Sequence, residues 1–239
     1  MKGWGRVMKE IKDREQLMCF LHDYQIESIF NEQLLSHLSL YSFDQGELIC
    51  SQGEPSQYLY VLVKGKLKVY TTSAEGKTLI VSFKTPLEII GDIEYVQGID
   101  LINTVEAVSP VLLIGVHYKW LKKYGKDYLP LLHFLLDVIT QKFTLKSHAM
   151  SFNLLYPVEV RLASYLLSVS FDESDTKFKG QVNTVSLTDV ANLIGTSYRH
   201  LNRVILQFCN EGLIERQKGF VLVKDREGLR AIAGHNIYE

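Results

Sequence analysis

Ser186–Cys209, SLTDVANLIGTSYRHLNRVILQFC, is the stretch on which the fold turns. It reads as two short helices joined by a tight turn. Ser186 is placed to cap the first helix, with Asp189 three residues on at capping-box spacing. Val190, Leu193 and Ile194 give that helix an apolar stripe. Gly195 supplies the backbone freedom of a sharp turn, and Thr196 and Ser197 offer the next N-cap. In the second helix Leu201, Val204, Ile205 and Phe208 fall on one face at about 100° per residue. The opposite face carries Arg199, Asn202, Arg203 and Asn210, flanked by Tyr198 and His200. A helix that presents arginines and amides outward, braced by a small helix behind it, meets the needs of major-groove reading. The same hairpin also occurs as an ordinary surface helix pair.

Working outward toward the C-terminus, Gly212–Glu215 opens a hairpin: LIERQ, a turn at Lys218–Gly219, then FVLVKD. This is a wing, with Arg216 and Lys218 placed to reach phosphates. The tail DREGLRAIAG closes with a short helix. Upstream, a polar loop FDESDTKFKGQ follows the helix VEVRLASYLLSVS. Pro157 disfavours helical geometry in the residue before it, which makes Leu155–Tyr156 a hinge.

Before that hinge, Asp127–Leu155 is one long helical pattern, with Pro130 in its first turn. Leu132, Leu136, Ile139, Phe143 and Met150 follow a four–three spacing that Lys146 interrupts, and Phe134, Leu135 and Val138 widen the stripe. One face is expected to pack on the preceding domain and another on a second subunit. From Ser39 to about Tyr118 the period shortens. YSF, ELIC, YLYVLV, KLKVY, TLIVSF, NTVEAV and VLLIGV are β-branched or aromatic runs separated by turn signals such as DQG, SQGEPS and SAEG. So many short strands imply a jelly-roll-like fold. Jelly rolls also house metal enzymes, but those need clustered histidines and carboxylates, and only His117 lies in this stretch. Lys9–Leu40 reads as short amphipathic helices around Leu17, Phe20, Leu21, Ile26, Ile29 and Phe30.

The chain has 239 residues, 46% of them hydrophobic and 22% charged, enough for one large or two smaller globular cores. Lysine and arginine total 26 against 27 acidic residues, which argues against non-specific coating of nucleic acid yet leaves room for a local basic face. No apolar run approaches the ~20 residues of a membrane span, and the charged N-terminus is unlike a secretory signal, so a cytoplasmic protein is expected. Cys19, Cys50 and Cys209 are too scattered for a disulfide framework, a zinc site or an iron–sulfur cluster. They are expected to be buried or semi-buried thiols.

The succession of β-roll, long helix, hinge, helix-turn-helix and wing resembles the Crp/Fnr superfamily of bacterial transcription regulators. The resemblance runs from Leu38 to Val223. It is carried by GELICSQGEPSQYLYVLVKGKLKVY with SAEGKTLIVSF, and by SLTDVANLIGTSYRHLNRVILQFCNEGLIERQKGFVLV. It implies an α+β chain: a jelly-roll-like β-roll with N-terminal helices (1–126), a long dimerisation helix and hinge (127–156), and a winged helix-turn-helix DNA-binding domain (157–239). The implied function is that of a homodimeric, sequence-specific regulator on an inverted-repeat operator, with RNA polymerase as a further partner and no enzymatic activity. In this family the positions after the cap of the second helix touch bases; here these are Tyr198, Arg199, His200 and Arg203. Ser197, Asn202, Arg216 and Lys218 complete the expected DNA-binding set.

The resemblance also locates an effector pocket. Members that bind a cyclic nucleotide hold its ribose with a glycine–glutamate pair and its phosphate with an arginine–serine pair. The first corresponds to Gly91–Asp92, the second to Leu101–Ile102, and the long-helix position near the base to Lys146–Ser147. A phosphate beside two aliphatic side chains lacks its charge partner, so cyclic AMP is not the expected effector. Neither the cysteines nor the seven histidines form the sites of the iron–sulfur or haem branches, and no cofactor or metal is expected. Two other readings remain at this stage: a ligand-sensing β-roll whose winged helix contacts protein, and a jelly-roll enzyme.

Overall fold

Tyr58–Lys64 carries five consecutive buried residues because both of its faces are covered. Leu59, Val61 and Val63 point to one core and Tyr60 and Leu62 to another. That period of two organises the first of the two compact units into which the chain divides, Met1–Lys142 and Phe143–Glu239. The computed structural model describes residues 8–76, 78–169, 181–183, 187–217 and 220–234.

The first unit begins with β1 (Lys9–Ile11), α1 (Arg14–Asp23), a 3-10 turn at Glu27–Ile29 and α2 (Glu32–Leu35). Then come β2 (Ser39–Phe43), β3 (Leu48–Cys50), β4 (Tyr58–Lys64), β5 (Leu67–Thr72), β6 (Thr78–Lys84) and β7 (Glu88–Ile90). It ends with α3 (Asp92–Gln97), β8 (Thr104–Ala107), β9 (Val111–His117), α4 (Tyr118–Trp120), a π turn at Leu121–Gly125, and the start of α5 (Leu129–Leu155). One sheet runs β1-β2-β9-β4-β7 and the other β3-β8-β5-β6, with all pairs antiparallel. Two facing antiparallel sheets make the expected jelly-roll-like β-roll. Tyr41, Phe43, Ile49, Val105 and Leu113 fill the space between them. Leu17, Leu21, Leu34, Leu131 and Leu135 close the outer face of the first sheet.

Lys9–Ile11 departs from the helical expectation. Its backbone pairs with β2, Lys9 opposite Ser42 and Ile11 opposite Leu40. An open sheet edge offers hydrogen bonds that a short polar segment cannot match locally, and this outweighs its weak propensity. Helix α1 starts only after Asp13, whose carboxylate accepts from the Gln16 amide at 2.8 Å.

The second unit holds the rest of α5, α6 (Val158–Val169), β10 (Gln181–Asn183), α7 (Leu187–Leu193) and α8 (Tyr198–Asn210). A hairpin of β11 (Ile214–Gln217) and β12 (Phe220–Val223) follows, then α9 (Arg226–Ala233). The wing is a three-stranded sheet in the order β10-β12-β11. Asp225 caps α9, accepting from the Gly228 amide at 2.9 Å. The break between α5 and α6 falls at Tyr156–Pro157, as the proline requires. Ser186 and Lys218 lie outside the described residues. Among those described, no helix is long and apolar enough to cross a membrane, and no cluster of three metal-ligating side chains occurs. Cys50 is buried and Cys209 partly so, whereas Cys19 is exposed on α1, contrary to expectation.

Candidate nucleic-acid interface

The turn between α7 and α8 is built by backbone geometry. Gly195 has φ +65°, a value that any side chain would strain. The Thr196 amide donates to the Ala191 carbonyl at 2.8 Å and the Gly195 amide to Asn192 at 3.4 Å, the paired bonds of a Schellman cap. Ser197 then caps α8, its hydroxyl accepting from the His200 amide at 3.2 Å. Leu201, Val204, Ile205 and Phe208 are buried, which fixes which side of α8 meets solvent. Arg199 and Arg203 are exposed on that side and Tyr198 at its flank; Asn202 and His200 are partly covered.

Arg216 of β11 reaches across to α8, its Nη1 donating to Asn202 Oδ1 at 3.1 Å. Two of the expected DNA-binding residues therefore touch each other, and the wing strand is tied to α8. Sequence reading missed two features here. Arg161, on the mostly apolar α6, donates to the carbonyls of Ile194 and, at 3.3 Å, Gly195, and so bolts α6 to the turn. Its signal was a single arginine inside a buried stripe. Leu206 lies one turn beyond Arg203 and is 56% exposed, an apolar contact surface on an otherwise polar face.

The residues of the expected effector pocket lie in both units. Gly91 takes φ +86°, and a Cβ there would meet the Tyr58 carbonyl at 2.5 Å and the Tyr118 hydroxyl at 2.6 Å. That hydroxyl donates to the Gly91 carbonyl at 2.5 Å and contacts the Ser56 hydroxyl at 2.5 Å; burial pushes its pKa well above the usual phenol value. Gly91 is thus closely held, and Asp92, the next residue, is only 3% exposed. Its partner from the long helix is Lys142, one turn before Lys146: Lys142 Nζ lies 3.0 Å from Asp92 Oδ1 and 2.7 Å from Glu88 Oε1. Leu101 is buried in the core between the sheets, while Ile102 is exposed and its amide donates to the buried Glu94 carboxylate at 3.1 Å. Lys146 and Ser147 sit on the part of α5 that belongs to the second unit. His117 caps α4, its Nδ1 accepting from the Lys119 amide at 3.0 Å.

Two family profiles match this chain in order. A cyclic nucleotide-binding domain covers residues 40–125 and a Crp-like helix-turn-helix domain residues 160–232. The chain belongs to the Crp/Fnr superfamily. It is 25% identical over 211 residues to the regulatory protein YeiL of Escherichia coli O157:H7, covering 87% of this chain and 93% of that protein. It is 20% identical over 198 residues to a CRP-like cAMP-activated global transcriptional regulator of Mycobacterium tuberculosis, covering 82% and 88%. A solved CRP-family transcriptional regulator from Thermus thermophilus shares the fold, with a TM-score of 0.70 at 21% identity, over 83% of this chain and 98% of that one. This Crp/Fnr member is a transcription regulator with a helix-turn-helix DNA-binding domain.

The charge cluster in its β-roll has a consequence for stability. Burial of Glu88 favours the neutral form, but Lys142 and Lys84 outweigh it and hold the carboxyl below the usual glutamate range. A carboxyl with a depressed folded-state pKa adds stability that is complete above its unfolded value and is lost as pH falls through the folded one. The urea midpoint of the β-roll is therefore expected to fall once pH drops below about 4.3, and to fall less in a Glu88→Gln variant. Equal acid sensitivity of the two proteins contradicts this assignment.

Proposed function

We propose that this Crp/Fnr regulator works as a homodimer on an inverted-repeat operator and does not respond to cyclic AMP. The observation that carries the DNA reading is the two-sidedness of α8: four apolar side chains sealed inward, with Arg199 and Arg203 exposed opposite them and Tyr198 exposed at the flank. Arg199 and Arg203 are the guanine readers, since a guanidinium pairs bidentately with guanine O6 and N7. Tyr198, His200 and Asn202 sit beside them, Ser197 sets the start of α8, and Arg216 and Lys218 reach phosphates. The dimer reading is supported by α5, where Leu132, Leu136, Phe143 and Met150 are exposed along the four–three seam. A two-fold dimer places two recognition helices about one DNA turn apart, which calls for an inverted repeat. The cytoplasm as the site of action and RNA polymerase as a downstream partner belong to the same reading.

The reading without cyclic AMP is supported by both ends of the pocket. Where a phosphate needs an arginine, this chain has Leu101–Ile102, and the nearby amide already serves the buried Glu94 carboxylate, which repels an anion. At the other end Asp92 is occupied by Lys142.

Selection from random duplexes by the full-length protein tests the proposal. The expected product is an inverted repeat bound equally well with and without cyclic AMP. Recovery of no duplex, or a requirement for the nucleotide, overturns it. Arg216→Ala is expected to weaken binding about equally across sequences and to reduce the salt slope by about 1 per subunit. An effect confined to one base position would make Arg216 a base reader instead.

A further inference from the structure

In the first unit, the side of α5 that packs on the core runs through Leu131, Leu135 and Val138, at steps of four and three. The next step of four lands on Lys142, where an apolar residue would continue the stripe. The lysine is drawn inward all the same. Its side chain is 16% exposed, and Nζ meets Glu88 Oε1 at 2.7 Å, the two Asp92 oxygens at 3.0 and 3.1 Å, and the Ile89 carbonyl at 2.5 Å. An ammonium has three protons, and Glu88, Asp92 and Ile89 take all three.

The other Glu88 oxygen receives Lys84 Nζ at 2.9 Å. Two cations and two anions thus form a neutral cluster that joins β6, β7 and the first turn of α3 to α5. Its acidic side belongs to the roll: Glu88 lies on β7, and Asp92 follows Gly91, whose carbonyl accepts from the Tyr118 hydroxyl. Of its two cations, Lys84 is carried by β6 and Lys142 by the helix. The same helix continues unbroken past Lys142 to Leu155.

We propose that Lys142 is a built-in latch that takes the place of a diffusible effector. The tethered ammonium fills the acidic end of the pocket, holds α5 in register on the β-roll without any small molecule, and makes DNA binding constitutive. Lys142 is a positioning residue that acts on α8 through α5. The proposal rests on the DNA-binding reading given above.

The test uses full-length protein purified without added ligand, in wild-type, Lys142→Met, Lys142→Arg and Asp92→Asn forms. Amide hydrogen exchange over residues 138–146 and affinity for a duplex selected by the wild-type protein are both read. Wild type is expected to bind without ligand. Lys142→Met is expected to exchange about tenfold faster or more in that segment and to bind about tenfold more weakly or more, because a buried charge pair has lost its cation. Lys142→Arg restores both readouts, and Asp92→Asn moves both in the same direction as Lys142→Met by a smaller amount, which keeps the test open should the methionine variant fail to fold. Wild-type exchange and affinity in Lys142→Met and Asp92→Asn overturn the latch; so does failure of arginine to restore them, which would mean that lysine's shape matters and its charge does not. If the wild type selects no duplex, the DNA reading fails, and the exchange result alone decides whether the latch exists.

Discussion

Arg203→Ala is expected to cut operator affinity by about 2–6 kcal/mol per dimer, since each of two half-sites loses a bidentate arginine–guanine pair valued at about 1–3 kcal/mol. Even the low end exceeds tenfold in the dissociation constant. The size follows from geometry. Arg203 is exposed on α8 directly opposite the sealed Leu201–Phe208 face, so its guanidinium is open to an incoming base edge. Folding should be untouched, because the side chain adds nothing to the apolar core behind it. The check is a titration of wild type and variant against the selected duplex and against duplexes changed at each position. The variant is expected to lose discrimination at one symmetric pair of positions and keep it elsewhere. A uniform loss across all positions would instead place Arg203 on a phosphate.

Phe143→Asp is expected to dissociate the proposed dimer. Phe143 is 72% exposed in the single chain, and it stands at the centre of the seam that Leu132, Leu136, Ile139 and Met150 extend. In a two-fold interface each substitution acts twice: two rings lose their apolar contacts and two carboxylates face each other. A buried aromatic anchor is commonly worth about 2 kcal/mol or more, so the dimer constant should weaken by roughly thirtyfold or more. Sedimentation equilibrium reads this directly, and affinity for an inverted repeat should fall with it, because one recognition helix then binds alone. A Phe143→Asp protein that remains dimeric would move the interface off α5.

Much of this was legible in the sequence wherever local signals and burial agree. The period of α8, the turn at Gly195 and the cap at Ser197 mark the second helix of the helix-turn-helix, and the unbroken apolar run of β4 marks a strand covered on both faces. What was not legible depends on long-range register. The helical pattern of α5 places Lys142 and Lys146 one turn apart, but which of them meets Asp92 depends on how far the helix has advanced along the roll, and that is set by Leu131 and Leu135. Strand β7 has three residues, too few for a period to show, so the role of Glu88 stays hidden until β7 pairs with β4. The pairing of β1 with β2 and the reach of Arg161 to the Ile194 carbonyl likewise join residues far apart in the chain. In each case the residue type was a clue and the partner was not.

Methylation interference reads out whether the outward face of α8 meets guanines in the major groove. Duplexes methylated sparsely at guanine N7 are sorted into bound and free pools with the full-length protein. The wild type is expected to show interference at symmetric guanines in both half-sites, and Arg203→Ala to lose interference at one symmetric pair. An interference pattern that is unchanged when Arg199 and Arg203 are both replaced by alanine would contradict this expectation.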